Sequence, residues 1–122
     1  MRIDFESGIP IYLQIADQIE DSILSGMFPE DTQIPSTTEI STLYKINPAT
    51  VLKGMTLLVD GGILYKRRGI GMFVHGGAKE KIRAKRRRSF FDDYVCALLA
   101  EAKKLEISPD EVIRMITEGA AK

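Results

Sequence analysis

The spacing of apolar residues predicts two amphipathic helices in the first half of the chain. The first apolar stripe consists of Tyr12, Ile15, Ile19 and Ile23. Intervals of three and four residues are typical of a helix with one buried face, and Pro10 suits its first turn as Gly26 suits its end. The second stripe consists of Val51, Leu52, Met55, Leu58 and Val59. It predicts a helix capped by Asn47, with Pro48 in its first turn, that ends at Gly61–Gly62.

A shorter helix is predicted between these two. Ser36 followed by Glu39 forms a capping box, in which the hydroxyl and the carboxylate each accept a hydrogen bond from a backbone N–H at the helix start. The helix should end near Tyr44, which leaves only a few residues before Asn47. So short a connection between two helices is typical of a helix-turn-helix.

Two apolar runs, Ile63-Leu64-Tyr65 and Met72-Phe73-Val74, flank a basic segment that contains two glycines. Short apolar runs on either side of turn residues predict a β-hairpin. Its tip would carry Lys66, Arg67, Arg68 and Gly69. A helix-turn-helix followed by such a hairpin is a winged helix-turn-helix.

The remaining residues predict a helical hairpin. Gly76–Gly77 mark a joint, after which one long helix or two colinear helices run from Ala78 to about Leu105. Ser108 and Pro109 begin a last helix. We therefore predict a mainly α fold with a small β-hairpin wing: a winged helix-turn-helix domain at residues 1–77 and a C-terminal helical hairpin at residues 78–122.

The charge distribution changes the interpretation of a chain that is neutral overall. Lys plus Arg and Asp plus Glu both number 17, yet basic residues are concentrated at Lys66-Arg67-Arg68 and between Lys79 and Arg88. A neutral chain that concentrates its positive charge can present a phosphate-binding face. The single cysteine, and the lack of an apolar run long enough to cross a bilayer, predict a cytoplasmic protein with no membrane partner.

Catalytic and metal-binding chemistry find little support in the sequence. His75 has no cysteine or histidine neighbour at metal-ligand spacing, so we expect no metal and no other cofactor. Cys96 lies among apolar residues and is expected to be a buried structural thiol. The adjacent carboxylates Asp92 and Asp93 point in different directions on a helix and cannot easily share a proton. The sequence predicts no enzyme.

Several motifs, aligned in order over half the chain, resemble the DNA-binding domain of GntR-type bacterial transcription regulators. They are Pro10-Ile11-Tyr12, Ile34-Pro35-Ser36, Asn47-Pro48-Ala49-Thr50-Val51 and the wing from Arg67 to Val74. The short C-terminal part resembles the YtrA subfamily, whose members end in a two-helix dimerisation hairpin. The sequence departs from the family at Thr38, where an arginine usually binds DNA, and at Ile70 and Met72, where the wing is usually charged or small and polar.

The resemblance implies a set of DNA-binding residues. They are Ser36, Thr37, Thr38, Asn47, Ala49, Thr50, Lys53, Lys66, Arg67, Arg68 and Gly69. Thr50 matches the family's phosphate-contacting threonine. Asn47 either reads adenine or only caps its helix, and Lys53 either binds DNA or is merely solvated. The wing cations either contact DNA or only protect a strand edge from aggregation. The run from Arg83 to Arg88 either follows a phosphate backbone or forms a solvated face.

The C-terminal hairpin is expected to pair two chains. The predicted dimerisation residues are Phe90, Phe91, Tyr94, Val95, Leu98, Leu99, Leu105, Val112, Ile113 and Ile116. A hairpin committed to pairing should leave no hollow for a metabolite, and the sequence identifies no small-molecule effector. We therefore expect a homodimeric repressor of transcription that binds an inverted-repeat operator in double-stranded DNA. The alternative is an adaptor with weakened DNA readout, which Thr38, Ile70 and Met72 motivate.

Overall fold

The computed structural model describes residues 2–121 and divides the chain into two compact units. The N-terminal unit ends at Ala84 and the C-terminal unit begins at Lys85. The N-terminal unit therefore extends past Gly77, the boundary expected from the sequence. The reason is that Ala78 and Ile82, at the start of a helix, are completely buried in the same core as the helix-turn-helix.

Three helices form most of the N-terminal unit: α1 at Ile11–Ser25, α2 at Thr37–Tyr44 and α3 at Pro48–Asp60. Helices α1 and α3 pack closely because Gly54 faces α1. A Cβ at Gly54 would lie 2.7 Å from the carbonyl oxygen of Tyr12. Contact this close lets Ile15 and Met55 become fully buried between the helices.

The predicted starts of α2 and α3 are confirmed, whereas Pro10 precedes α1 as its N-cap instead of lying in its first turn. Ser36 Oγ accepts from Glu39 N at 3.0 Å while the Glu39 carboxylate accepts from Ser36 N at 3.1 Å, which completes the capping box. Asn47 Oδ1 accepts from Ala49 N at 2.8 Å at the start of α3. Lys45 adopts a left-handed conformation, with φ of 55°, and ends α2. A three-residue turn thus connects the two helices.

One residue of the second apolar stripe does not face the core. Leu52 is 46% exposed, whereas Val51, Met55 and Leu58 are buried. The core-facing side of α3 is centred on Gly54 and Met55, next to α1. Position 52 therefore points outward, and the prediction that Leu52 is buried was wrong.

The wing consists of two antiparallel strands, β1 at Leu64–Arg67 and β2 at Gly71–Val74. Both strands extend further into the basic segment than the apolar runs predicted. The chain before α2 covers the free edge of β2: Asp31 N donates to Val74 O at 2.8 Å, and Ile34 N donates to Met72 O at 3.0 Å. These backbone bonds attach the wing to the connection between α1 and α2.

Alternate residues of the wing face the core. Leu64, Met72 and Val74 are buried, while Tyr65 and Phe73 are partly exposed on the opposite face. Met72 is only 8% exposed. The apolar side chain at this position is therefore explained by its packing in the core. Met72 does not contribute to the exposed surface of the wing.

Helix α4 spans Ala78–Phe90, followed by a π-helical segment at Phe91–Val95 and then by α5 at Cys96–Lys104 and α6 at Pro109–Ala120. In the C-terminal unit, Ala102 of α5 and Val112 of α6 are buried. The turn between these helices is closed by Ile107 N donating to Ala102 O at 2.9 Å. Ser108 Oγ accepts from Glu111 N at 3.2 Å and begins α6, as predicted. None of the helices within residues 2–121 is long and apolar enough to cross a bilayer.

Candidate nucleic-acid interface

The start of α2 offers fewer polar groups to a ligand than the sequence suggests. The Ser36 hydroxyl is engaged in the capping box. Thr37 is partly buried, and its hydroxyl donates to Met55 Sδ at 3.4 Å. Thr38 alone among the three is exposed. Thr38 is therefore the residue of this group whose side chain is most accessible to a ligand.

The start of α3 presents a mixed surface. The Asn47 side chain is occupied by its capping bond to Ala49 N, and the Thr50 side chain is partly buried. Ala49 and Lys53 are exposed on the outer side of the helix. Lys53 Nζ lies 4.0 Å from the centroid of the Tyr12 ring. A cation over a ring face is attracted by the ring's quadrupole, so Tyr12 of α1 helps to position the Lys53 ammonium.

The tip of the wing is a basic turn that requires glycine. Lys66, Arg67 and Arg68 are exposed. Ile70 N donates to Arg67 O at 2.9 Å, and Gly69 between them has a φ of 77°. This left-handed conformation is unfavourable for residues with a Cβ. Two of the three cations therefore lie at the end of β1, and Arg68 lies in the short, closed turn that follows.

Ile70 remains an apolar residue at the surface of the wing. Its side chain is 60% exposed at the tip. At this position the apolar residue that is unusual for the family therefore does lie at the surface of the wing. Its carbonyl accepts from Gln33 Nε2 at 3.0 Å. Gln33 could not be identified from the sequence, because a side chain that reaches a partner 37 positions away leaves no local signal.

The outer face of the wing carries an aromatic cluster that was not predicted from the sequence. Tyr65 stacks on Phe73, with ring centroids 5.6 Å apart, and the Tyr65 and His75 rings meet edge to face at 5.3 Å. Arg67 lies over Phe73, with 5.3 Å from Cζ to the ring centroid. Residues 65 and 67 of β1 are two positions apart, as are residue 73 of β2 and residue 75 just after it, and this period of two was the available signal.

Glu30, in the connection before α2, forms hydrogen bonds with the backbone at the beginning of α4. Its carboxylate accepts from Gly77 N at 3.0 Å and from Lys79 N at 3.3 Å. These two backbone bonds, more than the nearby Lys79 ammonium, hold the pKa of Glu30 below its ordinary value. The negative charge also suits the positive end of the helix dipole.

The basic run from Lys79 to Arg88 is divided between the two units. In the N-terminal unit, Arg83 forms an ion pair with Glu80 one turn earlier, which neutralises part of its charge. In the C-terminal unit, Arg87 and Arg88 are exposed. Contact between this run and DNA stays a prediction.

Most of the apolar residues predicted for dimerisation are exposed in the single chain. The residues that are at least 40% exposed are Phe90, Phe91, Tyr94, Leu98, Leu99, Leu105, Ile113 and Ile116. Val95 is partly buried, and Val112 is only 6% exposed because it packs inside the α5–α6 hairpin. Val112 thus contributes to the hairpin's own packing.

Two expectations about the C-terminal unit were wrong. Cys96 is exposed in the single chain, because its neighbours do not form a core around it. An open apolar groove of about 330 Å³ also lies between α5 and α6, where no hollow was expected. Its lining includes Leu98, Leu105 and Ile116, which are among the predicted dimerisation residues.

Among residues 2–121, no group of three or more potential ligand side chains is placed to bind a metal ion.

Comparison with known proteins identifies the family to which the chain is similar. Residues 11–74 match the family model described as bacterial regulatory proteins, gntR family. The transcriptional repressor NagR of Bacillus subtilis is 38% identical over 61% of this chain, which spans 30% of NagR. The repressor YtrA of the same organism is 35% identical over 65% of the chain and 61% of YtrA. The regulator YhcF, also from Bacillus subtilis, is 31% identical over 98% of the chain and 99% of its own length.

Solved structures extend the similarity over nearly the whole chain. A GntR-family regulator from Bacteroides thetaiotaomicron is 37% identical with a TM-score of 0.71, over 91% of this chain and 96% of the other. YtrA from Sulfolobus acidocaldarius is 29% identical with a TM-score of 0.60, over 99% and 97%. Both belong to transcription factors rather than enzymes. The chain belongs to the GntR family of bacterial regulatory proteins and is a DNA-binding transcription regulator.

Proposed function

We propose that this regulator is a homodimeric repressor that binds an inverted-repeat operator. The observation that carries the proposal is the set of exposed apolar side chains in the C-terminal unit, from Phe90 to Ile116. So many large apolar side chains exposed in one small unit favour an interface. A second copy would cover it, since a stable pairing needs only about 800 Å² from each partner.

Pairing through the C-terminal unit would give the assembly twofold symmetry. Each N-terminal unit would then insert the beginning of α3 into the major groove of one half-site. The exposed residues Ala49 and Lys53 lie at this end of the helix, and Thr38 lies at the start of α2. The exposed cations Arg67 and Arg68 of the wing would contact phosphates or the minor groove beside it.

Repression rather than activation is supported by the relatives. NagR and YtrA of Bacillus subtilis are both named transcriptional repressors. A dimer on an operator would block transcription by occupying the DNA. We also place the protein in the cytoplasm, where bacterial DNA is accessible to it.

The dimer is tested by the sedimentation of full-length variants at micromolar concentration. The wild type should sediment as a dimer and Phe91→Asp as a monomer, because a carboxylate at an apolar interface loses its hydration without a partner. Lys103→Asp, which introduces the same side chain at another exposed position of the C-terminal unit, should remain a dimer. A monomeric wild type would contradict the proposal.

A second candidate function is an adaptor that binds DNA with little sequence preference. Thr38 and the exposed Ile70 favour it, whereas the buried Met72 no longer does. Selection from random DNA separates the two functions. A repressor should enrich one inverted repeat and prefer it to unrelated DNA by at least about 10³-fold, the lower end for specific binders. An adaptor should enrich none.

A further inference from the structure

The outward side of α3 carries an apolar residue that the core does not explain. Leu52 is 46% exposed, although it lies between the fully buried Val51 and the buried Gly54. The side chain therefore projects away from α1 and from the hydrophobic core. A leucine left partly exposed still has apolar surface that contact with a ligand could remove from water.

Leu52 shares this side of the helix with other residues at helical spacing. A shallow hollow of about 380 Å³ lies along it, lined by Ala49, Leu52, Lys53, Thr56, Leu57 and Asp60. Ala49 and Leu52 are three residues apart, so they are neighbours on the helix surface. They form an apolar patch in the first two turns of α3, and the Lys53 ammonium is adjacent to it.

We infer that Leu52, together with Ala49, recognises thymine by packing against its 5-methyl group in the major groove. The inference rests on the proposed function and specifies how α3 reads its site. The thymine methyl is the apolar group that distinguishes one base pair from another on the floor of the major groove. Side chains without donors or acceptors cannot read the polar edges of guanine, adenine or cytosine, but they can exclude water from a methyl group.

The position of the patch favours DNA over a protein partner. Ala49 and Leu52 lie near the N-terminal end of α3, the end that enters the major groove in this architecture. Lys53 adjoins them with its ammonium held at 4.0 Å from the Tyr12 ring, where the surrounding phosphates would attract it. The patch thus continues the surface of the DNA-binding helix rather than forming a separate site.

The test uses the full chain and the operator obtained by selection. Each thymine of a half-site is replaced in turn by deoxyuridine, which pairs identically but lacks the 5-methyl group. Affinities are measured for the wild type, for Leu52→Ala and for Leu57→Ala. Leu57 is a matched control, because it is a leucine of the same helix with a similar exposure of 41%, but it lies more than one turn further from the N-terminal end.

At one or more positions, deoxyuridine should weaken binding of the wild type by roughly fourfold for each methyl group lost. Leu52→Ala should bind the thymine operator more weakly and should discriminate less between thymine and deoxyuridine at those positions. Leu57→Ala should discriminate as the wild type does. Because Leu52 is exposed, all three proteins should melt at similar temperatures.

Three results would overturn the inference. A preferred operator that the wild type binds equally well with deoxyuridine at every thymine would exclude methyl recognition while leaving the proposed function intact. Discrimination that persists undiminished in Leu52→Ala would assign it to another residue. If selection enriches no sequence, the proposed operator and the inference fail together.

Discussion

Arg67 lies over the ring of Phe73, with its guanidinium carbon 5.3 Å from the ring centroid. The two residues come from the paired strands β1 and β2, so the wing itself holds this cation at its outer face. A partly ordered guanidinium loses less side-chain entropy when it meets a phosphate. The wing is therefore expected to provide affinity that depends little on base sequence.

We predict that replacing Arg67 and Arg68 with alanine weakens binding to every DNA sequence alike. Each lost phosphate contact should lower the slope of log affinity against log salt concentration by about 0.9. Binding isotherms between low and moderate salt measure this slope. Lys103→Ala combined with Lys104→Ala removes the same charge from the C-terminal unit and should leave the slope unchanged. Loss of preference for one site, with non-specific binding intact, would show that the wing reads bases instead.

Thr38 provides a gain-of-affinity prediction. Thr38→Arg should tighten operator binding by roughly tenfold, because a charge-assisted contact at the start of α2 outweighs the ordering of a long side chain. The gain should shrink as salt rises. Thr38→Ala should bind nearly as the wild type does. Since Thr38 is exposed and Ser36 provides the cap, neither change should affect folding. An Arg variant that binds no better would place this position away from DNA.

Glu30 makes the stability of the N-terminal unit depend on pH. The pKa of Glu30 is lower in the folded protein than its ordinary value of 4.5, so the charged carboxylate is the form that stabilises the fold. The stabilisation is fully present above the pKa of the unfolded chain and is lost as the pH falls through the folded pKa. Glu30→Gln should therefore be less stable than the wild type at pH 7, and the difference should narrow below about pH 4.5.

Thermal melting of wild type and Glu30→Gln across this range measures the effect. Glu6→Gln is a suitable control, because Glu6 is also an exposed glutamate but has no part in the Gly77 and Lys79 bonds. A difference between wild type and Glu30→Gln that stays constant down to low pH would mean that the charge of Glu30 does not support the start of α4.

Ile82 should be essential to the N-terminal unit, although the sequence places it after the predicted domain boundary. It is fully buried, and Ile82→Ala should cost about 2–5 kcal/mol of unfolding free energy. Leu43→Ala, at a position 73% exposed, should change stability by less than about 0.5 kcal/mol. Urea unfolding of a fragment ending at Ala84 measures both changes. A fragment ending at Gly77 should have a markedly lower free energy of unfolding than the fragment ending at Ala84. Equal values for the two fragments would place the domain boundary at Gly77.

Local sequence signals predicted the helices and their starts well. The capping box at Ser36 and Glu39 and the Asn47 cap involve residues two or three positions apart, and their hydrogen bonds form much as expected. The wing was also recognisable, because apolar runs around a glycine-containing basic turn have few other folded arrangements. Features determined by neighbouring residues could therefore be inferred directly.

Features that depend on distant contacts could not be inferred in this way. The pairing of Gln33 with Phe73 joins segments 40 residues apart. The outward direction of Leu52 depends on which side of α3 meets α1, and apolar spacing alone did not distinguish it from Val51. Ala78 lies immediately before the strongly basic run and Ile82 lies within it, so the charge pattern concealed both core positions.

In the candidate site, too, features set by neighbouring residues could be predicted, whereas contacts between distant residues could not. The sequence identified exposed cations in the wing, but it did not show that the Thr37 hydroxyl is directed to Met55 or that Lys53 lies over Tyr12. These contacts form only when α1, α2 and α3 are assembled. They decide which polar groups remain available to DNA.

The central claim, a dimer that reads an inverted repeat, is tested most directly by footprinting the full chain on its selected operator. The account predicts two symmetric protected segments about one helical turn apart, occupied by two chains. Altering the sequence of one half-site should weaken the protection of both segments, because the two chains bind as a dimer. A single protected segment occupied by one chain, with unchanged affinity when the second half-site is removed, would contradict the account.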